Sequence, residues 1–334
     1  MIRRIALSLG LSLCVGALIL GGMIAFGMAA RPPEMHSVID VASDMDYRDL
    51  PVLSYFVARD GTRLAYRAYP AAGHSLAVLV HGSSGSSTEM HALAKALQNA
   101  GMTAFALDIR GHGGSGPHGD IRYIGQLEDD LADFVRHIRQ SFPSLPITLV
   151  AHSSGGGFAV RVHGSDIGSL FAHFVLIAPY LGYDAPTVRP AAGGWAAVSL
   201  SRIIALTILQ RFHISLGSGL PVIQFAVPKR LDGLLTASYS FRLLQNFGPP
   251  RDYVGALART QVPVTVLVGQ RDEIMYSDRF ADALKAVKNH VSVSILPGVS
   301  HMSIVSDPRA IESVIQACLE AVNPQGPRPS SSTI

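Results

Sequence analysis

The stretch Val150-Ala151-His152-Ser153-Ser154-Gly155-Gly156-Gly157 places a serine between an apolar run and a helix start rich in small residues. A serine at such a strand-to-helix turn sits on a sharp, strained backbone with its hydroxyl held above the sheet, poised for nucleophilic attack. Strand and helix nearly touch there, so the positions two before and two after the nucleophile must be small. Ala151 and Gly155 meet this for Ser153. A frame centred on Ser154 would put His152 in the crowded position, so Ser153 is the expected nucleophile. A glycine-rich anion loop is the other reading of such a run. No Gly-Lys-Ser/Thr follows, which excludes a P-loop.

Acyl transfer also needs two backbone N–H donors aimed at the developing oxyanion. One is expected from the residue after the nucleophile, Ser154. The other is expected from Val80-His81-Gly82-Ser83-Ser84-Gly85, which follows a buried strand; Ser83 is the candidate and Gly82 lets the backbone come close. A third stretch, Asp108-Ile109-Arg110-Gly111-His112-Gly113-Gly114-Ser115-Gly116, follows the next strand.

In this order and on these elements, the three motifs resemble the α/β-hydrolase superfamily, and within it the monoglyceride lipase and lysophospholipase-like members. The resemblance covers roughly residues 52–322 and is poorest between about 180 and 257. Ala151 departs from the family's usual glycine but is still small. The resemblance implies that Arg110 and His112 order their loop and do no chemistry. It also implies a triad in the chain order nucleophile, acid, histidine. Asp272, in Val268-Gly269-Gln270-Arg271-Asp272-Glu273, matches the family's acid, with Glu273 as a weaker candidate. His301, in Leu296-Pro297-Gly298-Val299-Ser300-His301-Met302, matches its histidine. Dehalogenases and epoxide hydrolases of this fold carry an aspartate at the elbow, which Ser153 argues against.

The elements that must position these residues are legible as an alternation. Asp60-Gly61 between Leu53–Val57 and Arg63–Ala68 signals a hairpin. Strands are expected at Leu76–Val80, Thr103–Leu107, Ile147–Val150, Phe174–Ile177, Val264–Val268 and Val291–Leu296. Helices are expected at Thr88–Asn99, Gln126–Ile138, Gly155–His163, Phe280–Val287 and Ala310–Ala321. Such alternation predicts a mostly parallel central sheet with helices on both faces. The α/β-hydrolase domain is expected to span residues 51–322, interrupted after the sixth strand by a helical cap insertion at about 180–257. Residues 31–50, with Pro32 and Pro33, read as a linker and residues 323–334 as a flexible tail.

Residues 1–30 stand apart. Ile5 to Ala30 runs 26 residues without a charge, long enough for a helix to cross a hydrocarbon core. That length favours a transmembrane anchor over the shorter apolar stretch of a cleaved signal peptide, although the small residues at 27–30 also fit cleavage and secretion. Arg3 and Arg4 outweigh Arg31, so the N-terminus is expected in the cytoplasm and the domain outside.

The net charge of +3 is scattered, with no basic stretch interleaved with aromatics, so nucleic acid is not an expected partner. Cys14 and Cys318 occupy no metal-ligand spacing, and no cofactor motif is present. The expected activity is hydrolysis of a carboxylic ester, such as a monoacylglycerol, a lysophospholipid or a similar lipid-like ester, through an acyl-enzyme. The same triad would also serve thioester, amide or carbon–carbon bond cleavage, acyl transfer or cofactor-free peroxidation. A catalytically silent binding protein is the remaining class.

Overall fold

The computed structural model describes residues 2–43 and 45–320; residues 323–334, read above as a tail, lie outside that range. An apolar helix α1 (Ile2–Phe26) comes first, then a short helix α2 (His36–Ser43). Strands β1 (Ser54–Val57), β2 (Arg63–Tyr69) and β3 (Leu76–Val80) precede α3 (His91–Asn99), β4 (Thr103–Leu107) and α4 (Gln126–Arg139). Then follow β5 (Ile147–His152), α5 (Ser153–His163) and β6 (His173–Ile177). The insertion holds β7 (Ala196–Val198), α6 (Leu200–Arg211), β8 (Pro221–Phe225), β9 (Ser238–Ser240), α7 (Phe241–Asn246) and α8 (Tyr253–Ala258). The chain closes on β10 (Val264–Gly269), α9 (Phe280–Ala283), β11 (Val291–Leu296) and α10 (Pro308–Glu320).

Eight strands form the main sheet in the order β1-β2-β4-β3-β5-β6-β10-β11. β4 to β11 run parallel, and the β1–β2 hairpin is an antiparallel edge. Every residue of β3, β4, β5 and β6 is buried. Strands covered on both faces read as continuous apolar runs for that reason. α3 packs on α10, and α5 on α8, which places a helical layer on each side. The termini of α4 are matched to its dipole, with Glu128 and Asp129 in its first turn and Arg136, His137 and Arg139 in its last.

The insertion is less helical than its apolar composition implies. Ala196–Val198 is a strand, and its helix begins only at Leu200. β7, β8 and β9 make a small antiparallel sheet of their own. Residues 31–50 are more than a tether. Met35, Val38 and Ile39 recur at helical spacing, and α2 buries Val38 and Ile39 against the domain core.

Candidate active site

Ser153 is the first residue of α5 and has φ +51°, the left-handed region that a side chain seldom adopts. The strain is held in place by close packing of β5, α5 and the β3 loop. A Cβ added to Gly155 would overlap the backbone oxygen of His81. Gly155→Ala is therefore expected to destabilise the fold by about 1–3 kcal/mol. It should also lower kcat by about 100-fold through a misplaced hydroxyl, read by thermal melting and ester kinetics.

His301 lies in the loop after β11 and projects its imidazole to Ser153. Its Nε2 is 3.0 Å from Ser153 Oγ. Its Nδ1 is 2.7 Å from Asp272 Oδ2. The other Asp272 oxygen accepts the N–H groups of Ile274 (2.8 Å) and Met275 (2.7 Å), so the carboxylate is fixed on both sides. All three side chains are buried. Burial pushes the His301 imidazole down, but the Asp272 charge and hydrogen bond, together with the charges of Glu273 and Glu89, outweigh it, and its pKa ends above the ordinary value. Burial likewise pushes Asp272 up, and His301 with the two N–H donors brings it below the usual carboxylate range. An imidazole so placed can take the serine proton while the carboxylate stabilises the cation formed.

Glu273, the alternative acid, does not reach the ring: its Oε2 accepts the backbone N–H of His301 at 3.0 Å. Ser154 is the second residue of α5, where the first-turn N–H groups have no helical acceptor. The loop carrying Ser83 passes beside Ser153: a Cβ added to Gly82 would lie 3.2 Å from the Ser153 Cβ. Asp108 accepts the N–H groups of Ser87 and Gly114 (2.7 Å each), stitching this loop to the one after β4. His81 and His112 are buried and neutral-leaning, because burial pushes both imidazoles down. Tyr239 from the insertion accepts the Ser84 N–H (2.8 Å) and donates to His112 Nε2 (2.7 Å). Arg110 binds Asp130 and Asp60. Both Arg110 and His112 are thus occupied in ordering loops.

Two features were not visible in the motifs. His152 Nδ1 is 2.7 Å from Glu89 Oε1, and its Nε2 is 3.1 Å from the carbonyl of His301. Glu89 also accepts the Gly82 N–H at 2.9 Å, so one carboxylate ties the loop of Ser83 to the residue before Ser153. Burial raises its pKa, but His152 and the N–H outweigh that and hold it below the usual range. In addition, Trp195 Nε1–H donates to Ser83 Oγ at 2.8 Å, closing the insertion over the loop. Ser153 and His301 open onto a mostly apolar cavity of about 110 Å³ whose walls include Ser83, Trp195, Leu235 and Ile274.

The model of the family described as serine aminopeptidase, S33, matches residues 71–308. The chain belongs to this family. Within it, the chain sits with the monoglyceride lipase-like α/β-hydrolases. It is 30% identical over 152 residues to the human protein named monoglyceride lipase, a match covering 44% of this chain and 48% of that protein. It is 29% identical over 127 residues to the monoacylglycerol lipase of Mycolicibacterium smegmatis, covering 37% and 45%. The chain thus spans about half the length of the curated relatives it matches. In fold, it superposes on a soluble variant of monoglyceride lipase from Saccharomyces cerevisiae with a TM-score of 0.61 at 16% identity, covering 85% of this chain and 99% of that one. The Paleococcus ferrophilus monoacylglycerol lipase gives 0.57 at 21%, covering 77% and 97%.

Proposed function

We propose that this chain is a serine hydrolase that cleaves a lipid-like carboxylic ester, such as a monoacylglycerol or a lysophospholipid. Ser153 Oγ attacks the ester carbonyl while His301 Nε2 takes its proton, and Asp272 holds the imidazole and stabilises the imidazolium. The N–H groups of Ser83 and Ser154 receive the oxyanion. The tetrahedral adduct collapses to an acyl-enzyme on Ser153, with His301 returning the proton to the leaving alcohol. Water, deprotonated by His301, then attacks the acyl carbon and Ser153 departs with the proton. The observation that carries this reading is the unbroken line from Ser153 through His301 to Asp272, 3.0 and 2.7 Å, opening on an apolar cavity.

The family's description speaks of an aminopeptidase, and the site favours an ester instead. Holding a peptide's α-ammonium requires an uncommitted carboxylate in the cavity. Glu89 is the one carboxylate among the lining residues, and its Oε1 already takes His152 and the Gly82 N–H. The relatives named as monoglyceride and monoacylglycerol lipases point the same way. A matched panel of monoacylglycerol, p-nitrophenyl ester, acyl thioester and aminoacyl amide tests this. Esters are expected to give the highest kcat/KM; a larger value for the thioester or the amide would contradict the reading.

We further propose that α1 is a retained membrane anchor, with Arg3 and Arg4 on the cytoplasmic side and the domain across the membrane. α1 is long and apolar enough to span, with mean hydropathy 2.3 over its window and none of that window buried. Its last turn is built into the insertion. The buried Arg202 guanidinium donates to Ile24 O (2.7 Å), and Ser199 Oγ accepts the Ala29 N–H (2.8 Å). A helix whose free carbonyls are capped by the domain is integral to the fold. Beside it α6 and the following turn expose Leu200, Ile204, Phe212 and Leu216, an apolar face that suits a lipid surface.

A further inference from the structure

The cavity at Ser153 is closed on one side by a segment from far outside the family match. Residues 31–35 are fastened to the insertion: Arg31 donates to Asp232 at 2.9 Å, and Arg230 to Glu34 at 3.1 Å. α2 then lays Val38 and Ile39 into the cavity wall, where they are 5% and 3% exposed. Beyond α2 the chain is fastened again, by Asp49 to His91 (3.2 Å) and to Lys95. The polar fastenings are largely solvent-exposed and contribute little. What seats α2 is the burial of its two aliphatic side chains. The cavity they bound, about 110 Å³, is well below the roughly 300–1,000 Å³ of sites that enclose a drug-sized ligand.

We infer that α2 is a wall of the acyl site and that Val38 and Ile39 determine the length of acyl chain that the site admits. This rests on the proposed role of Ser153. A short acyl group fills the cavity and gains contact with both side chains. A longer one must press α2 outward and expose them to water. Because an apolar pocket discriminates by about tenfold or more per methylene, these two side chains suffice to set a length preference. Their position also joins that preference to the anchor, since residues 27–35 run directly from α1 to α2.

The test uses the full-length protein in detergent with p-nitrophenyl butyrate, octanoate and laurate. Val38→Ala/Ile39→Ala is expected to raise the laurate-to-butyrate ratio of kcat/KM about tenfold, and Ile39→Trp to lower it. Val38→Ala alone serves if the double variant loses its fold. Labelling by a small fluorophosphonate is followed in parallel. Variants that label at the wild-type rate with an unchanged ratio would overturn the role of α2 and leave Ser153 untouched. A wild type that neither labels nor hydrolyses any of the esters would overturn the reading of Ser153 and this inference with it.

Discussion

Ser153→Ala is expected to lower kcat/KM on a p-nitrophenyl ester by about 10⁵- to 10⁶-fold, the loss typical of removing a serine nucleophile whose triad acts as a unit. The substitution removes one oxygen, and with it the 3.0 Å contact to His301 Nε2. It leaves the left-handed backbone at position 153 and the packing of Gly155 as they are. Little stability should change, so a melting curve close to wild type separates lost chemistry from lost fold. Ser154→Ala is the matched control. Only the backbone N–H of residue 154 is used, and alanine keeps it, so activity should stay within about tenfold of wild type. If instead Ser154→Ala abolishes activity and Ser153→Ala retains it, the frame of the elbow is wrong.

The second large effect is expected from Asp272→Asn. The amide can still accept the Ile274 and Met275 N–H groups, so the loop keeps its shape. The carboxylate facing His301 Nδ1 is lost, and an amide there can hold the imidazole in the wrong tautomer. The expected fall in kcat is about 10⁴-fold. The pH profile supplies an independent readout. The base is the neutral imidazole, so activity disappears as pH falls through the His301 pKa. In the wild type, burial lowers that pKa, and Asp272, with smaller help from the Glu273 and Glu89 charges, raises it further than burial lowers it, so the acid limb should lie above the ordinary imidazole range. In the Asn variant burial remains and the Asp272 charge is gone, so the limb should move to lower pH while the plateau drops. Glu273→Gln should lower the limb only slightly and leave the plateau, because the Glu273 charge raises the His301 pKa less than Asp272 does and its hydrogen bond goes to a backbone N–H. A variant series in which Glu273→Gln abolishes the acid limb and Asp272→Asn leaves it in place would reverse the two assignments.

Most of the scaffold was legible because burial writes itself into sequence. β3 is apolar along its whole length and β4, β5 and β6 are mostly so, and each loop that bears a candidate residue follows one of these strands or β10 or β11. Packing at the elbow reads equally well, since small residues at 151 and 155 are required by the approach of strand and helix. The insertion did not read well. Its strands β7 and β9 are three residues each, too short to show alternation, and their apolar neighbours mimic helix. α2 was hidden by its length and by the prolines before it; only the spacing of Met35, Val38 and Ile39 signals a docked face. Pairings across long sequence distances were out of reach for a different reason. Glu89 with His152, Ser83 with Trp195, and His112 with Tyr239 are 63, 112 and 127 residues apart. No spacing rule links them, because each meeting is made by the sheet and the insertion together. His152 carried a weak signal, being adjacent to Ser153, and Glu89 a weaker one, lying just beyond the loop of Ser83.

The most direct test of the central claim is the site of covalent capture. The full-length protein is treated with a fluorophosphonate, digested, and the modified peptide sequenced by mass spectrometry. A single adduct on Ser153, lost in Ser153→Ala and formed more slowly as pH falls through the acid limb, is the predicted result. An adduct on Ser154 or elsewhere, or no adduct in a protein that still hydrolyses esters, would contradict it.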